Sequence, residues 1–251
     1  AKLLRQKSKV LIAFGSCAQE GCIPGLANIS NRKEIFEKAY MPTPPTMNPD
    51  ATMPQTYLKV EEGELNLPEF YDTVKTLDQT VEVDYYIPGC PPPVKLIVKA
   101  VEAIVKGELP PRGSVLAPEK SVCDECPRVR ENKKISEIKR AYEIVPDSKR
   151  CLLEQGTMCL GPATRAGCEA QCISVNMPCT GCYGPVDRVI DQGAHFLSAV
   201  ASVIDSNEPN EIQKIIDSTG VWIVNNRDLR RFVFYMSTFR ERRSALEQGR
   251  R

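Results

Sequence analysis

The chain has 251 residues, enough to bury a core in one or two domains. Basic and acidic side chains nearly balance, with a net charge of +1 and a pI near 7.6. This excludes the broad basic field that nucleic-acid and anionic-membrane binding require. The apolar stretches are too short to cross a bilayer, and residues 1–9 are basic and polar, unlike a secretory signal. Together these features predict a soluble, cytoplasmic protein.

The first part of the chain predicts alternating helices and strands. Residues 1–7 resemble the end of a helix, and residues 9–14 form an apolar run typical of a buried strand. Residues 81–87 predict a second strand, and the apolar period of residues 92–106 predicts an amphipathic helix. This order is typical of a doubly wound α/β sheet, whose sites form beyond the carboxyl ends of the strands.

Two cysteines follow the predicted strands, and a long segment separates them. Cys17 and Cys90 each lie just past a strand end, where such a sheet places its sites. Residues 41–68 between the strands are rich in Pro, Thr and Met and show little periodicity. A loop of this length is either a functional contact segment or a surface excursion, and both interpretations stay open.

The composition changes after the amphipathic helix. Residues 107–120 are Pro-rich and predict a domain boundary, which divides the chain into residues 1–112 and 113–251. The second part predicts a helix near residues 131–143 within a largely irregular cysteine-rich region. Further helices are predicted at 194–204, at 210–216 and in the Arg-rich tail, 228–251.

The chain has 11 cysteines, well above ordinary usage. Disulfide frameworks belong to small secreted chains, and an odd count fits them poorly, so metal or cluster ligation is the favoured use. Eight of the cysteines lie close together in the second part, as Cys123-x2-Cys126, Cys151-x7-Cys159, Cys168-x3-Cys172 and Cys179-x2-Cys182.

These eight cysteines supply ligands for two tetrathiolate sites. A cubane cluster needs four converging thiolates, and a CxxC turn supplies two of them from one tight loop. Zinc is the alternative, but a zinc ribbon uses two clean pairs per site, whereas each candidate site here has one. The spacing favours iron–sulfur and leaves a zinc-stabilised scaffold as the rival.

Six motifs carry a family resemblance. They are Phe14-Gly-Ser-Cys-Ala18, Gly21-Cys-Ile-Pro-Gly-Leu-Ala-Asn28, Ile87-Pro-Gly-Cys-Pro-Pro92, Cys123-Asp-Glu-Cys-Pro-Arg128, Cys159-Leu-Gly-Pro-Ala-Thr164 and Cys179-Thr-Gly-Cys-Tyr-Gly-Pro185. In this order they resemble the small subunit of group 3 [NiFe] hydrogenases. The likeness is greatest to the methyl-viologen-reducing, deazaflavin-non-reducing type, which works with heterodisulfide reductase.

The resemblance implies a partial flavodoxin-like α/β domain, followed by an irregular domain that binds two clusters and ends in a helical tail. It also implies a large subunit with the Ni–Fe centre and a line of proximal, medial and distal clusters. Ligands carried over by position are Cys17 and Cys90 for the proximal site, Cys123, Cys126, Cys151 and Cys159 for the distal site, and Cys168, Cys179 and Cys182 for the medial site. The assignment of Cys159 and Cys168 between the last two sites stays open.

Two departures from the family predict all-cysteine sites. Many relatives have histidine at the position of Cys123, and proline where this chain has Cys172 in the medial site. Cys172 would therefore turn a three-iron medial cluster into a [4Fe–4S] cluster. Two [4Fe–4S] clusters of lower potential, able to reduce low-potential acceptors, are the expectation.

A third departure concerns the proximal site. Relatives open with a strand and a CxxC-type turn that supply its other two ligands, and this sequence is expected to begin after them, by truncation or because another polypeptide supplies that half. A third cluster is expected only if ligands come from outside this sequence. Cys22 is predicted to be a buried thiol or a group beside the site rather than a third ligand.

The expected function is that of an electron-transfer subunit. Electrons from hydrogen oxidation would pass to an iron–sulfur or flavin partner, such as a ferredoxin-like subunit that leads to heterodisulfide reductase. The sequence has no acid–base pair or nucleophile motif, so no bond chemistry is expected on this chain. Rivals are the deazaflavin-reducing hydrogenase small subunit and the related subunit of respiratory complex I, which lacks the eight-cysteine region.

Overall fold

A computed structural model describes residues 1–44, 46–139, 142–189, 192–211 and 214–215. Its α-helices are α1 (Lys2–Lys7), α2 (Ser16–Glu20), α3 (Cys22–Gly25), α4 (Arg32–Tyr40), α5 (Val94–Lys106), α6 (Gln171–Ser174) and α7 (Gln192–Val203). Its strands are β1 (Ile12–Phe14), β2 (Tyr57–Val60), β3 (Gly63–Asn66) and β4 (Tyr85–Ile87). Short 3-10 turns lie at Leu26–Ile29, Val122–Asp124, Leu153–Gln155 and Gly161–Ala163. The fold is therefore mixed α/β, as predicted.

The two predicted strands pair in parallel. β1 lies beside β4 with Ile12 opposite Tyr85 and Phe14 opposite Ile87. The chain adds to this sheet after α5, because the Tyr86 amide donates to the Ser114 carbonyl and the Leu116 amide donates to the Tyr86 carbonyl. Both strands are shorter than the apolar runs that predicted them. The carboxyl ends of the two strands lie at the same edge of the sheet, which brings the loops that follow them together.

Helix α5 forms where its apolar period predicted a helix, but most of the residues that make up that period, among them Val94, Val101 and Val105, are exposed, and other residues cover the sheet. Leu96 and Ala100 are buried and pack with Ile87 and with Tyr183 from the second part of the chain. The helix ends at Gly107, whose φ of 71° is the left-handed conformation that glycine adopts at a helix end. Strand, cysteine-bearing loop and helix therefore follow one another as expected.

The segment 41–68 contains a hairpin that its composition did not predict. β2 and β3 pair antiparallel, with Tyr57 opposite Asn66 and Val60 opposite Gly63. All of their residues except Val60 are exposed, so neither strand has the alternating buried face that makes a strand recognisable in a sequence.

The helix predicted near residues 131–143 is wrong for the described residues of that stretch. The Ile135 amide donates to the Val203 carbonyl, and the Lys139 amide donates to the Gly156 carbonyl. Ile135 and Ile138 are both buried, so their helix-like spacing reflects two separate core contacts of an extended, bent chain. The tertiary hydrogen bonds outweigh the local propensity.

The remaining helix predictions fall partly outside the described residues. The helix predicted at 194–204 is confirmed as α7. Only part of 210–216 is described, and the tail 228–251 lies outside the described residues. None of the helices in the described part of the chain is long and apolar enough to span a membrane.

A hydrophobic core of the second part surrounds the cysteine-rich loops. Val122, Leu152, Ile173 and Phe196 are each at most 2% exposed and belong to it. Cys159 and Cys179 lie within the same core, and four more cysteines or methionines pack against it. These thiols therefore occupy core positions that apolar side chains fill in other domains. The division of the chain at residue 112 stays a prediction.

Candidate metal centres

Four of the predicted ligands line one cavity of about 80 Å³. Cys123 and Cys126 come from the turn at Val122–Asp124, which a reciprocal pair of bonds between Ser121 and Asp124 caps. Cys151 follows an extended segment in which its amide donates to the Val129 carbonyl, and Cys159 precedes the turn at Gly161–Ala163. The structure thus brings together the four residues predicted for the distal site.

Burial makes these thiols reluctant to ionise without a bound cation. It raises the pKa of Cys123 to about 12 and that of Cys159 to about 11. The charges of neighbouring cysteines, including Cys126 and Cys151, raise both pKa values further. Bound metal replaces the proton on a thiol, so this clustering has its natural use in thiolate ligation.

A buried arginine lies at the wall of the same cavity. Arg128 is 8% exposed, and its guanidinium donates to the carbonyls of Ile173, Asp147 and Arg150 and to the Asn176 side chain. All of these acceptors are neutral, and no carboxylate among the described residues pairs with Arg128. A buried charge without a counter-ion is costly, so the cavity suits an anionic occupant such as a tetrathiolate cluster.

The described residues contain no preformed site for a single metal ion. No three His, Cys, Asp or Glu side chains among the described residues are placed to hold a single metal ion. One zinc ion needs its sulfurs within about 2.3 Å of a common point, whereas an iron–sulfur cubane holds four sulfurs around a wider core. At Gly161 an added Cβ would lie 3.2 Å from the Cys123 Sγ, so a larger residue there would press on this thiol.

Three of the four predicted medial ligands also lie near one another. The charge of Cys182 raises the pKa values of both Cys168 and Cys179, after burial, which is the larger cause for each. Burial raises the pKa of Cys168 to about 11 and that of Cys179 well above its ordinary value. Cys172 is exposed on α6, and none of the described interactions joins it to the other three.

The two groups of cysteines meet at their buried members. The Cys179 amide donates to the Cys159 Sγ at 3.3 Å. Cys159 also lines the cavity with Cys123. The pKa of Cys168, by contrast, is raised by burial and then by the charges of Glu125 and Cys182. Cys159 therefore contacts both groups, and the assignment of Cys159 and Cys168 as ligands stays a prediction.

One carboxylate that sequence reasoning missed joins the two groups. Glu125 lies inside the Cys123–Cys126 turn, and its carboxylate accepts the amides of Gly167, at 3.1 Å, and Ala170, at 3.3 Å. Its Oε1 also lies 3.6 Å from the Cys168 Sγ. An acidic residue between two ligands was the only signal in the sequence, and nothing there shows that it reaches a loop 42 residues away.

The remaining predicted ligands lie at the edge of the parallel sheet. Cys17 and Cys90 are exposed, and the loops that hold them are joined because the Gly15 amide donates to the Ile87 carbonyl and the Ser16 amide donates to the Gly89 carbonyl. These two thiols form at most half of a four-thiolate site. Cys22 is buried at the start of α3, as expected of a packing thiol.

Comparisons with known proteins bear on these groups. Residues 1–104 match the family model described as NADH ubiquinone oxidoreductase, 20 Kd subunit. The chain is 45% identical over 219 residues to the iron-sulfur G subunit of the F420-non-reducing hydrogenase of Archaeoglobus profundus, an alignment that covers 85% of this chain and 68% of that protein.

Two further relatives have the same kind of name. The chain is 42% identical to the vhu G subunit of the F420-non-reducing hydrogenase of Methanocaldococcus jannaschii, covering 79% of this chain and 64% of that protein. It is 37% identical to the G subunit of the F420-non-reducing hydrogenase of Methanothermobacter thermautotrophicus, covering 86% and 68%. The chain therefore spans about two thirds of the length of these relatives.

Proposed function

The chain belongs to the family of F420-non-reducing hydrogenase G subunits, and we propose that it relays electrons from hydrogen oxidation on a [NiFe] large subunit to a downstream iron–sulfur or flavin partner. Membership makes it part of an oxidoreductase. The observation that carries the proposal is the cavity lined by four cysteines and by the buried Arg128, which pairs with no carboxylate among the described residues. When bound, iron–sulfur clusters supply one-electron redox centres there.

We assign the ligands of the proposed clusters as follows. The distal [4Fe–4S] cluster would be held by Cys123, Cys126, Cys151 and Cys159, and the medial one by Cys168, Cys172, Cys179 and Cys182. The shared cavity supports the first set. Three members of the second set are supported because the charge of Cys182 raises the pKa values of Cys168 and Cys179. Cys17 and Cys90 would hold a proximal cluster only together with ligands from outside this sequence.

The partners and the location that we propose for this chain rest on the family resemblance of its sequence motifs. The partners would be the large subunit, a ferredoxin-like subunit and the heterodisulfide reductase complex, in the cytoplasm. The deazaflavin-reducing small subunit is the second candidate, but the relatives named above are called F420-non-reducing. The complex I family model matches only residues 1–104, ahead of the eight cysteines, which disfavours that rival.

Iron and acid-labile sulfide in the anaerobically purified chain, separated from the other subunits, test the cofactor proposal. Two cubanes give about eight irons and eight sulfides for this chain, and a completed proximal site gives about twelve of each. Zinc in place of iron, without sulfide, would refute the relay and favour a structural scaffold.

Cys172 offers the sharpest test of the medial ligand set, because an exposed side chain can be replaced without disturbing the core. Replacing Cys172 with Ala removes the fourth medial thiolate, and the electron paramagnetic resonance (EPR) signal of an oxidised three-iron cluster should appear. Cys22→Ala, which removes a buried thiol that we do not assign as a ligand, serves as the control and should leave the spectrum unchanged. An unaltered spectrum of Cys172→Ala would remove this residue from the medial site.

A further inference from the structure

A hydroxyl buried in the second part of the chain forms no hydrogen bond to any described residue. It belongs to Tyr183, which is 2% exposed and directly follows Cys182 in the sequence. Buried polar groups in folded proteins nearly always have a partner. The orphaned hydroxyl therefore indicates that another group belongs beside it.

The hydroxyl end of the Tyr183 ring lies against the loop of a proposed medial ligand. A Cβ added to Gly167 would lie 3.3 Å from the Tyr183 Cε1, which is bonded to the carbon that bears the hydroxyl. Gly167 directly precedes Cys168, and both Cys168 and Cys182 pack against the buried cluster that contains Tyr183. The hydroxyl is thus enclosed on the side of the ring where two of the proposed ligands lie.

The charged groups around this hydroxyl are negative. Burial raises the pKa of Tyr183 above its ordinary value, and the charges of Cys168, Cys182, Glu125 and Glu169 raise it further. The phenol therefore keeps its proton, and toward anionic neighbours it acts as a hydrogen-bond donor.

The two carboxylates near the hydroxyl are occupied by other donors. The Glu125 carboxylate accepts the Gly167 amide at 3.1 Å, and the Glu169 carboxylate pairs with the Lys95 ammonium at 2.6 Å. Sulfur is the acceptor that remains. Sulfur bound to iron carries negative charge, and hydrogen bonds to charged acceptors are stronger than those to neutral ones.

The residues present suit a cluster at this point. Cys168, Cys179 and Cys182 lie near one another, because the charge of Cys182 acts on both of the others. Three thiolates suffice for a three-iron cluster, and Cys172 would complete a cubane. In either case a cluster would bring sulfur to the thiols beside the unpaired hydroxyl.

We propose that the Tyr183 Oη donates a hydrogen bond to a sulfur of the medial cluster and thereby raises the reduction potential of that cluster. This inference rests on the proposed function, because it requires a cluster at Cys168 and Cys182. Tyr183 keeps its proton in both oxidation states, so no bond breaks and no co-reactant is consumed. The hydrogen bond strengthens when the cluster gains an electron and becomes more negative, and this difference favours reduction.

The test compares Tyr183→Phe with the wild-type chain in the assembled, anaerobically purified complex. Phenylalanine keeps the ring and removes only the hydroxyl, so cluster content should not change. In an EPR-monitored redox titration, one of the two proposed clusters should become about tenfold harder to reduce, a shift of about 59 mV to more negative potential for a one-electron couple. The other cluster should keep its potential. A ring that only fills space would leave both potentials unchanged.

Electron–nuclear double resonance detects the proposed hydrogen bond itself. The reduced medial cluster should couple to a proton that exchanges in deuterated buffer and is missing in Tyr183→Phe. Tyr71→Phe, which removes an exposed hydroxyl from the first part of the chain, is the matched control and should match the wild type in spectrum and potentials. Wild-type chain that carries oxygen-17 in its tyrosine hydroxyls should show a coupling to the same cluster, which decides the question even if Tyr183→Phe fails to assemble.

The outcomes separate this inference from the proposed function. If both cluster signals are present but Tyr183→Phe changes neither a potential nor the proton coupling, the inference is overturned, water is the partner of the hydroxyl, and the proposed relay stands. A shift to more positive potential would contradict the donor role. If this chain holds no iron–sulfur cluster, the proposed function fails and the inference falls with it.

Discussion

Arg128 combines two roles at the scale of a single residue. Its guanidinium holds together the segments around Asp147 and Ile173, and it places a positive charge beside the four-thiol cavity. Burial keeps that charge unscreened by salt, in contrast to the more exposed Arg130 at the same cavity.

Replacing Arg128 with Gln should move the midpoint potential of the proposed distal cluster to a more negative value, because a buried positive charge stabilises the reduced, more anionic state. Arg128→Lys keeps the charge and should shift the potential less, although it loses the forked hydrogen bonds. EPR-monitored redox titration measures both. A positive shift for Arg128→Gln, or equal shifts for Gln and Lys, would contradict the electrostatic role.

Asp84 ties α1 to the parallel sheet. Its carboxylate accepts from the Arg5 guanidinium at 2.6 Å and from the Leu11 amide at 2.7 Å, and it is 1% exposed. The hydrogen bond from Arg5, followed by that from Leu11, holds the pKa of Asp84 below its ordinary value.

A depressed pKa contributes stability above the ordinary aspartate pKa of about 3.9, and this stability is lost as the pH falls through the folded-state value. Asp84→Asn should therefore cost about 2 kcal/mol at neutral pH and progressively less in acid. Denaturant unfolding of the wild-type and variant chains between about pH 7 and about pH 3 measures the difference. Asp50→Asn, at an exposed position, is the control, and a gap that persists in acid would argue against this role.

At the scale of elements, α2 packs closely against the loop that holds Cys179 and Cys182. A Cβ added to Gly184 would lie 1.4 Å from the Glu20 Oε1, and the φ of Gly184 is +69°. Glu20 ends α2, and its carboxylate would have to leave its position to make room for any side chain at position 184.

Gly184→Ala should therefore destabilise the chain by about 2 kcal/mol, because it adds the displacement of the Glu20 carboxylate to a left-handed backbone cost. Gly107→Ala is the matched control, because Gly107 has a φ of +71° and nothing within 4 Å of its added Cβ. The control should cost only about 1 kcal/mol. Thermal unfolding followed together with cluster absorbance measures both, and equal losses would show that α2 and the loop are not tightly packed.

At the scale of the whole molecule, the two parts of the chain differ in how much regular structure they contain. The first part has a parallel sheet covered by α5. Between residues 121 and 189 the described chain has only α6 and short 3-10 turns, and its core includes Cys159 and Cys179. We therefore expect metal binding to supply much of the folding free energy of the second part.

Removal of iron and sulfide should unfold the second part and spare the first. Hydrogen–deuterium exchange of the metal-free chain should show lost protection at Cys123–Cys182 and α7, while β1, β4 and α5 stay protected. The first part serves as the internal control. Equal protection of both parts with and without metal would contradict this division.

The sequence by itself determined the features that depend on near neighbours and on ligand type. The apolar runs placed β1, β4 and α5, and the family resemblance of the cysteine motifs predicted the group that the structure brings into one cavity. Only the tertiary structure decided that residues 131–139 are not a helix, that residues 57–66 form a hairpin, and that Ser16, Glu125 and Arg128 reach the cysteine loops. Those contacts join segments far apart in the chain, and their hydrogen bonds form only once the core has brought the loops together, so no local pattern announces them.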